Sequence, residues 1–494
     1  MKRLLAYILL ISATSIAVAQ DVAKFAEQDI IGTARYVGMA GAMTAIGGDP
    51  TSVMFDNPAG LGLYKHMEVS LTLDLQLDRT WQSGYKNFTD KRNYFIPTQC
   101  SFAIPFPAGA GSKIVSHNLF VGYQRLKNYS RTYSAAVNAT TSITDVMTDM
   151  ANMQGTVRND YGYRDASGNI FMYNDVWDNA NVGWLTALGY GTDRMQWDAT
   201  SPGSADSTFY PYHIPGEVIL QEAIIKESGY KNQYSFDYAL NIDDRWYLGI
   251  GLNIVSVDYV KSVYYGETYT DNAWLDLNHR LEYKGAGINA SVGFIGRPTR
   301  WMRFGIGFQT PSACTMKIKH YGDAASSDAA KTYNYAVSTP VNFYTDREFR
   351  MPLRLSTGLG FQIGNYGLLS LQYNFAHWKN MKNVHSLRVG GEAVIADNFY
   401  LNAGYAYESE FLKPNEDYVW YMQPTDVRTD TDFSNLRYSH NASLGFGYRG
   451  KYLIAQIAYS LRWQRIGLFP FDLAEPYNMH TMTHRIALTF GFHM

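Results

Sequence analysis

Residues 68–78 read Glu-Val-Ser-Leu-Thr-Leu-Asp-Leu-Gln-Leu-Asp, and this stretch decides the fold class. Every second residue from Val69 to Leu77 is apolar, and the residues between them are polar. Because successive side chains of a β-strand point to opposite faces, the pattern predicts a strand with one apolar and one polar face. A length of about ten residues matches a tilted strand that crosses a bilayer.

The same alternation recurs along the chain and predicts fourteen strands. The number is even, as single-chain bacterial membrane barrels require. The predicted strands cover residues 68–78, 93–106, 115–129, 231–243, 246–263, 280–295, 301–310, 351–364, 367–378, 384–395, 399–408, 437–448, 452–463 and 484–494.

The connections between the predicted strands differ on the two sides. After strand 3, each link from an even to an odd strand is a tight turn, such as residues 243–245 and 365–366. Most links from odd to even strands are long, above all residues 130–230, although residues 379–383 are an exception. Short turns on one side and long loops on the other are typical of outer-membrane barrels. We therefore predict an all-β fold, a 14-stranded antiparallel transmembrane β-barrel over residues 68–494 with long extracellular loops. A soluble β-protein is the alternative.

Composition excludes several classes of protein. The chain has 494 residues, of which 15% are aromatic and 17% are charged, and its formal net charge is −2. A nucleic-acid-binding protein would be markedly basic, so no nucleic-acid partner is expected. Two cysteines cannot form a disulfide framework or a cysteine-rich metal site, and we expect no cofactor and no metal.

The N-terminus has the pattern of an export signal. Lys2 and Arg3 precede an apolar core at residues 4–11, and Ala17-Val18-Ala19 forms a cleavage site. We predict a signal peptide over residues 1–19 that is cleaved after Ala19. Beyond it, no run of about 18 apolar residues predicts a spanning helix.

Residues 20–67 do not alternate and are rich in glycine and alanine. We predict that this segment is a hatch that plugs the barrel lumen, because a barrel of fourteen strands is too wide to be filled by its own side chains. The segment lacks both common phosphate-binding glycine motifs. The expected hatch residues are Gly38, Gly41, Asp49, Asn57, Pro58, Ala59 and Gly60.

The stretch from Gly32 to Ala45, with Asp49 and the Asn57–Leu61 element, resembles the hatch of the FadL long-chain fatty-acid transporter family. Residues 285–293, 297–298 and 303–307 are similar to the central hairpin of that family. The resemblance implies a monomeric outer-membrane transporter for hydrophobic small molecules, with long-chain fatty acids as the default substrate. The chain departs from the family in its loop 130–230, which is about a hundred residues long.

Two groups of residues are candidates for ligand binding. The large loop carries apolar stripes at helical spacing that include Met147, Met150, Trp184 and Leu188, and these predict either a hydrophobic dock or simple packing of the loop. By strand parity, three lumen arginines are expected to point inward, where a cation could bind a ligand carboxylate. They are Arg303, Arg354 and Arg388. The alternative for these arginines is pairing with lumen acids.

We expect a transporter and not an enzyme, because neither HExxH nor G-x-S-x-G occurs and no catalytic residue stands out. A haem receptor or a surface adhesin on the same barrel is the alternative. Expected partners are a hydrophobic substrate, outer-membrane lipid and lipopolysaccharide. The last strand, with Phe490 and Phe492 on its apolar face, resembles the signal read by the barrel-assembly machinery, which is therefore an expected partner during biogenesis.

Overall fold

The computed structural model describes residues 24–84, 89–109, 111–197, 208–330, 334–378, 382–410, 427–429, 433–471 and 474–494. The predicted signal peptide and residues 20–23 of the predicted hatch lie outside the described residues. Across these described ranges, no helix has the length and hydropathy needed to cross a membrane.

One antiparallel sheet closes on itself as a barrel of fourteen strands, which confirms the predicted fold class. The first strand pairs with the last in a continuous register from Glu68–His493 to Gln82–Met479. The strands are β1 Glu68–Gln82, β2 Thr89–Pro107, β3 Ile114–Asn128 continued by Arg131–Ala139, β4 Ile219–Ile242, β5 Trp246–Thr268, β6 Trp274–Gly296, β7 Met302–Gln309 continued by Ala313–Ser327, β8 Asn334–Ser338, Phe343–Arg350 and Leu353–Ile363, β9 Gly367–His377, β10 Val384–Ala396, β11 Phe399–Glu408, β12 Phe433–Arg449, β13 Leu453–Phe469 and β14 Tyr477–His493.

Strands β4 to β8 extend further toward the long-loop end than the sequence pattern predicts. The predicted strands 301–310 and 351–364 leave residues 311–350 as a loop, but in the structure most of these residues continue β7 and β8. The reason is that the apolar side chains of a strand face outward near its tight-turn end and inward near its long-loop end. On β5, Ile250 and Leu252 face outward near the tight-turn end, whereas Val257 and Tyr259 are buried inside the barrel further up. The lumen is therefore polar near the tight turns and apolar near the long loops.

The hatch segment lies in the polar half of the lumen. It consists of α1 Ala34–Gly38, α2 Pro50–Phe55 and a 3₁₀ helix Pro58–Leu63, and nearly all of its residues are buried. Wall glycines allow its backbone to approach the strands: a Cβ on Gly404 would overlap Met39, and a Cβ on Gly305 would overlap Thr44. The hatch is thus seated against the barrel at backbone contact distance.

The large loop folds into a cap over the apolar half of the lumen. Its helical segments are α3 Ile143–Gln154, α4 Arg158–Tyr161, the 3₁₀ helix Val176–Asp178 and α5 Trp184–Gly191. Two short hairpins complete it, formed by Gly162–Arg164 with Ile170–Met172 and by Met195–Trp197 with Phe209–Pro211. A capping box of Ser142 and Asp145 begins α3.

The seam between β2 and β3 is hydrogen-bonded over only part of its length. Their ladder runs from Pro107–Ser116 to Gln99–Gln124 and stops there. Above that point the continuation of β3 pairs with β4 and turns toward β1, where Gln82 Nε2 donates a hydrogen bond to Ala136 O at 2.7 Å. The hatch covers the inner side of this seam, since Asp29 N donates to Leu126 O at 3.2 Å.

We predict that Gly404→Val unseats the hatch, because its side chain overlaps the hatch backbone at Met39. Overpacking of this kind costs about 1–3 kcal/mol of stability. The measurement is the rate of proteolysis within residues 30–64 of the purified protein, which should rise. Ala403→Val is the matched control, since Ala403 faces outward on the same strand; equal proteolysis of both variants would contradict the prediction.

Candidate functional site: the hatch and the aromatic cage above it

The hatch is held by hydrogen bonds to inward side chains of the wall. Gln372 Oε1 accepts from the backbone N–H groups of Met43 and Thr44, both at 2.8 Å. Arg35 forms a bidentate ion pair with Glu392, at 2.7 and 2.9 Å. Since an unpaired buried polar group is costly, these contacts fix the position of the segment as well as closing the lumen.

The predicted Asn-Pro-Ala element connects two parts of the hatch to each other and to the barrel wall by hydrogen bonds. Asn57 Oδ1 accepts from Ala59 N at 3.1 Å, while its Nδ2 donates to Thr44 O at 2.9 Å and to Phe294 O at 3.1 Å. Only an amide side chain supplies an acceptor and two donors at this length. Pro58 occupies the first turn of the 3₁₀ helix, where its missing N–H costs nothing.

The other predicted hatch residues are also structural. Asp49 is the N-cap of α2, accepts from Thr51 N at 3.0 Å, and accepts from Thr33 Oγ1 at 2.6 Å. Gly41 has φ +73°, a left-handed conformation that glycine adopts without strain. Gly60 packs on Gly47, and Gly38 packs on Gly445 of the wall.

A buried charge cluster holds the chain segment that enters the hatch. Lys127 Nζ lies 2.6 Å from Glu27 Oε1 and 2.8 Å from Asp29 Oδ1, and Arg462 and Arg485 also contact Asp29. Burial favours the neutral acids, but the surrounding cations outweigh it. They lower the pKa of Glu27 to about 2 and hold the pKa of Asp29 well below its ordinary value. The segment is therefore anchored as an anion.

Just before this cluster, Phe25 projects into an aromatic cage at the base of the apolar half-lumen. Its ring centroid lies 5.1 Å from Tyr283, 5.5 Å from Tyr259 and 6.0–6.2 Å from two further rings, those of Phe349 and Tyr129. All four contacts are edge-to-face, a favourable arrangement for aromatic pairs. The chain thus fills an apolar pocket with one of its own side chains.

Two cations, the buried Lys231 and the half-buried Arg354, lie beside the cage and hold the backbone of the same segment. Lys231 Nζ donates to Phe25 O at 2.6 Å and to Glu27 O at 3.1 Å, and Arg354 Nη2 donates to Ala26 O at 2.8 Å. Within the described residues, neither cation has an acidic side chain within 4 Å. Their partners are three successive carbonyls, which a carboxylate could replace.

The structure divides the predicted ligand residues into two groups. Met147, Met150, Trp184 and Leu188 are almost fully buried within the cap and its junction with the barrel. The three arginines point into the lumen, as parity predicts, and donate to hatch carbonyls: Arg303 to Ile46, Arg354 to Ala26 and Arg388 to Gly41. Ligand contact by any of them stays a prediction.

Sequence reasoning missed Phe25, Lys127 and Lys231. A signal was available for Lys231, because parity places it on the same inward face as Gln233 and Ser235. No comparable signal existed for Phe25, since a single aromatic residue in a segment without periodicity has no predicted partner.

A second buried acid of the hatch is held differently. Asp56 accepts from Gln372 Nε2 at 3.1 Å, and the Arg388 guanidinium lies 3.9 Å away. Burial dominates here and raises the pKa of Asp56 to about 7, against the opposing effects of Arg388 and of hydrogen bonds from Gln372 and Tyr36. This carboxyl group therefore changes charge near neutral pH.

Solved structures resemble this arrangement along nearly its whole length. A FadL homologue from Pseudomonas aeruginosa shares 12% identity at a TM-score of 0.52, covering 94% of this chain and 99% of that one. The toluene transporter TodX from P. putida shares 11% identity at a TM-score of 0.50, with coverage of 94% and 99%. The chain has the FadL-type fold. No protein-family model and no curated protein matches the sequence, so the FadL-type fold is recognised through structure.

We predict that the hatch opens more readily as the pH rises from 5 to 8. The folded-state pKa of Asp56 is raised, so its stabilising contribution is full below the ordinary aspartate pKa of about 3.9 and is lost as pH passes through about 7. Hydrogen exchange of residues 50–63, corrected for the intrinsic pH dependence of exchange, measures this. Asp56→Asn should remove the difference and Asp145→Asn, in the cap, should retain it. A pH dependence that persists in Asp56→Asn would contradict the assignment.

Proposed function

We propose that the protein is an outer-membrane transporter that takes up hydrophobic small molecules carrying a carboxylate, with long-chain fatty acids as the substrate class. The observation that carries this proposal is the Phe25 cage with Lys231 and Arg354 beside it. It combines an apolar pocket with two cations whose present partners are backbone carbonyls. An amphiphilic anion offers the same two kinds of contact.

The polarity of the barrel supports a placement across the outer membrane. The tight turns face the periplasm, and the cap with the extended strands lies outside the cell. The outward apolar surface near the tight turns is matched to lipid, whereas the apolar interior lies above it, beneath the cap. A hydrophobic solute that enters under the cap thus meets an apolar chamber instead of a water-filled pore.

In this proposal, the substrate displaces the segment of the chain that fills the aromatic cage. When residues 25–27 withdraw, the acyl chain takes the place of the Phe25 ring, and the carboxylate takes the place of the carbonyls on Lys231 and Arg354. A buried cation left without a partner costs several kcal/mol, so an anionic ligand is favoured over a neutral one at this point. Withdrawal that extends to Asp29 also breaks its contact with Leu126 at the seam between β2 and β3. We propose this seam as the exit from the lumen.

The solved structures with a similar fold do not determine the substrate class of this protein. TodX is a toluene transporter, and toluene is a neutral hydrocarbon without a head group. A neutral hydrocarbon would use the cage but gain nothing from Lys231. Comparison of a fatty acid with a neutral hydrocarbon therefore separates the two substrate classes.

We predict that Lys231→Met weakens oleate binding by about tenfold to a hundredfold, because a charge-assisted hydrogen bond is worth about 1.5–3 kcal/mol. Binding of a neutral hydrocarbon, such as toluene, should be unchanged. Titration of the purified protein with labelled ligand measures both. Lys226→Met is the control, since Lys226 lies on the same strand but is exposed. Equal loss of oleate and toluene binding would contradict the head-group role.

We also predict that deletion of residues 21–62 leaves an assembled barrel and alters uptake. The strands close through their own ladders, including β1 with β14, so the barrel does not need the hatch for its topology. Heat-dependent gel mobility reports assembly, and uptake of labelled oleate by cells reports function. An assembled deletion variant with normal oleate uptake would refute the hatch mechanism.

A further inference from the structure

Three tyrosine–histidine pairs recur on the outer face of the barrel. Each joins the two strands of one hairpin by a hydrogen bond between the phenol oxygen and the ring Nδ1. The pairs are Tyr373–His385 at 2.7 Å, Tyr405–His440 at 2.6 Å and Tyr459–His484 at 2.7 Å. Across the described residues, the Nε2 atoms of these three rings have no hydrogen-bond partner. When the phenol donates to Nδ1, the neutral ring carries its proton on Nε2 and offers a donor at the barrel surface.

The pairs lie at one height. Tyr405 and Tyr459 are each six residues from the tight-turn end of their strands, and His440 and His484 are nine residues from it. At about 3.3 Å per residue and a tilt of about 40°, these positions lie about 15–23 Å above the tight-turn end. The apolar band of such barrels is about 25 Å tall. The pairs therefore sit just below the outer edge of the lipid-facing band.

Two apolar grooves lie directly against the same pairs. The first, of about 760 Å³, crosses β7 to β11 and is lined by Ile306, Leu359, Leu371 and Leu387, with Tyr373 and Tyr405 among its residues. The second, of about 610 Å³, crosses β9 to β13 and includes Tyr405 and Tyr459. Small outward residues, Gly391 and Ala403, form part of the second groove. The tyrosines of the pairs thus lie within the grooves, and the residues around them are mostly apolar.

Two exposed arginines, Arg79 on β1 and Arg465 on β13, lie two to six residues further from the tight-turn end than the pairs. The His440 ring stacks on Trp463, and His480 stacks between Trp463 and Trp81, with centroid distances of 5.7, 6.2 and 5.3 Å. The Arg465 guanidinium lies 5.2 Å from the Trp463 ring, and Arg79 lies 5.8 Å from the Trp81 ring. Cations and ring N–H donors near and above the outer edge of the apolar band match a phosphate group.

We propose that this face of β7 to β14 and β1 is a binding site for the phosphorylated glycolipid of the outer leaflet, lipid A. Its acyl chains occupy the two grooves, and its phosphates contact the histidine Nε2 atoms and the arginines. The inference rests on the proposed placement in the outer membrane and not on the proposed substrate. The ligand is lipid A because the pairs lie close to the outer edge of the apolar band, and a free phosphate would not fill the grooves.

The test is native mass spectrometry of the full-length protein in detergent, titrated with diphosphorylated lipid A and with its dephosphorylated form. The test variant is the triple substitution His385→Phe, His440→Phe and His484→Phe, which keeps the rings and removes the nitrogens. His117→Phe is the matched control, because His117 pairs with Tyr238 in the same way, at 2.6 Å, near the tight-turn end. Ala403→Leu fills the second groove.

The wild-type protein and His117→Phe should retain lipid A about tenfold better than the dephosphorylated form. The triple variant should lose this preference, and Ala403→Leu should lower retention of both forms. Unchanged preference in the triple variant, an equal loss in His117→Phe, or equally tight retention of phosphatidylglycerol would overturn the proposal. Oleate titration of the same triple variant should be normal, so failure of the lipid site and failure of the transport proposal give different results.

Discussion

Closure of the sheet is the constraint on which the rest of the structure depends. In hydrocarbon, an unpaired backbone N–H or C=O group costs several kcal/mol, so a spanning sheet cannot leave an edge. The ladder between β1 and β14 removes that edge over its whole length, from Glu68 to Gln82. Once the wall is closed, its inward side chains enclose a lumen. That lumen has to be filled with groups that form hydrogen bonds or apolar contacts with these side chains.

The hatch fills the polar half of the lumen by supplying backbone groups instead of side-chain bulk. Gln372, Arg303 and Arg388 each bind hatch backbone atoms, and glycines in the wall let that backbone come close. This explains why the segment is rich in small residues and lacks periodicity. It is recognised by its main chain, and its sequence has to fit the wall more than to form regular elements.

The apolar half of the lumen follows a different logic. There the strands carry apolar residues inward, as a water-soluble protein does, and the cap and Phe25 complete the core. The two halves meet at Lys231 and Arg354, where an apolar cage adjoins these two cations. An apolar cage beside cations arises here because the polar and apolar faces of the same strands exchange sides along their length.

The sequence by itself determined the number of strands, their inward and outward faces, the position of the tight turns and the inward direction of Arg303, Arg354 and Arg388. These features are local, because a period of two fixes which side chains share a face. Only the tertiary structure decided that residues 311–350 continue β7 and β8. The sequence pattern of a membrane strand has its apolar residues facing lipid, whereas the apolar residues of these extensions face inward. It also decided that Phe25 meets Tyr283 and that Lys231 meets the Phe25 carbonyl. Those contacts join residues about two hundred or more positions apart, and only the closed barrel brings them together.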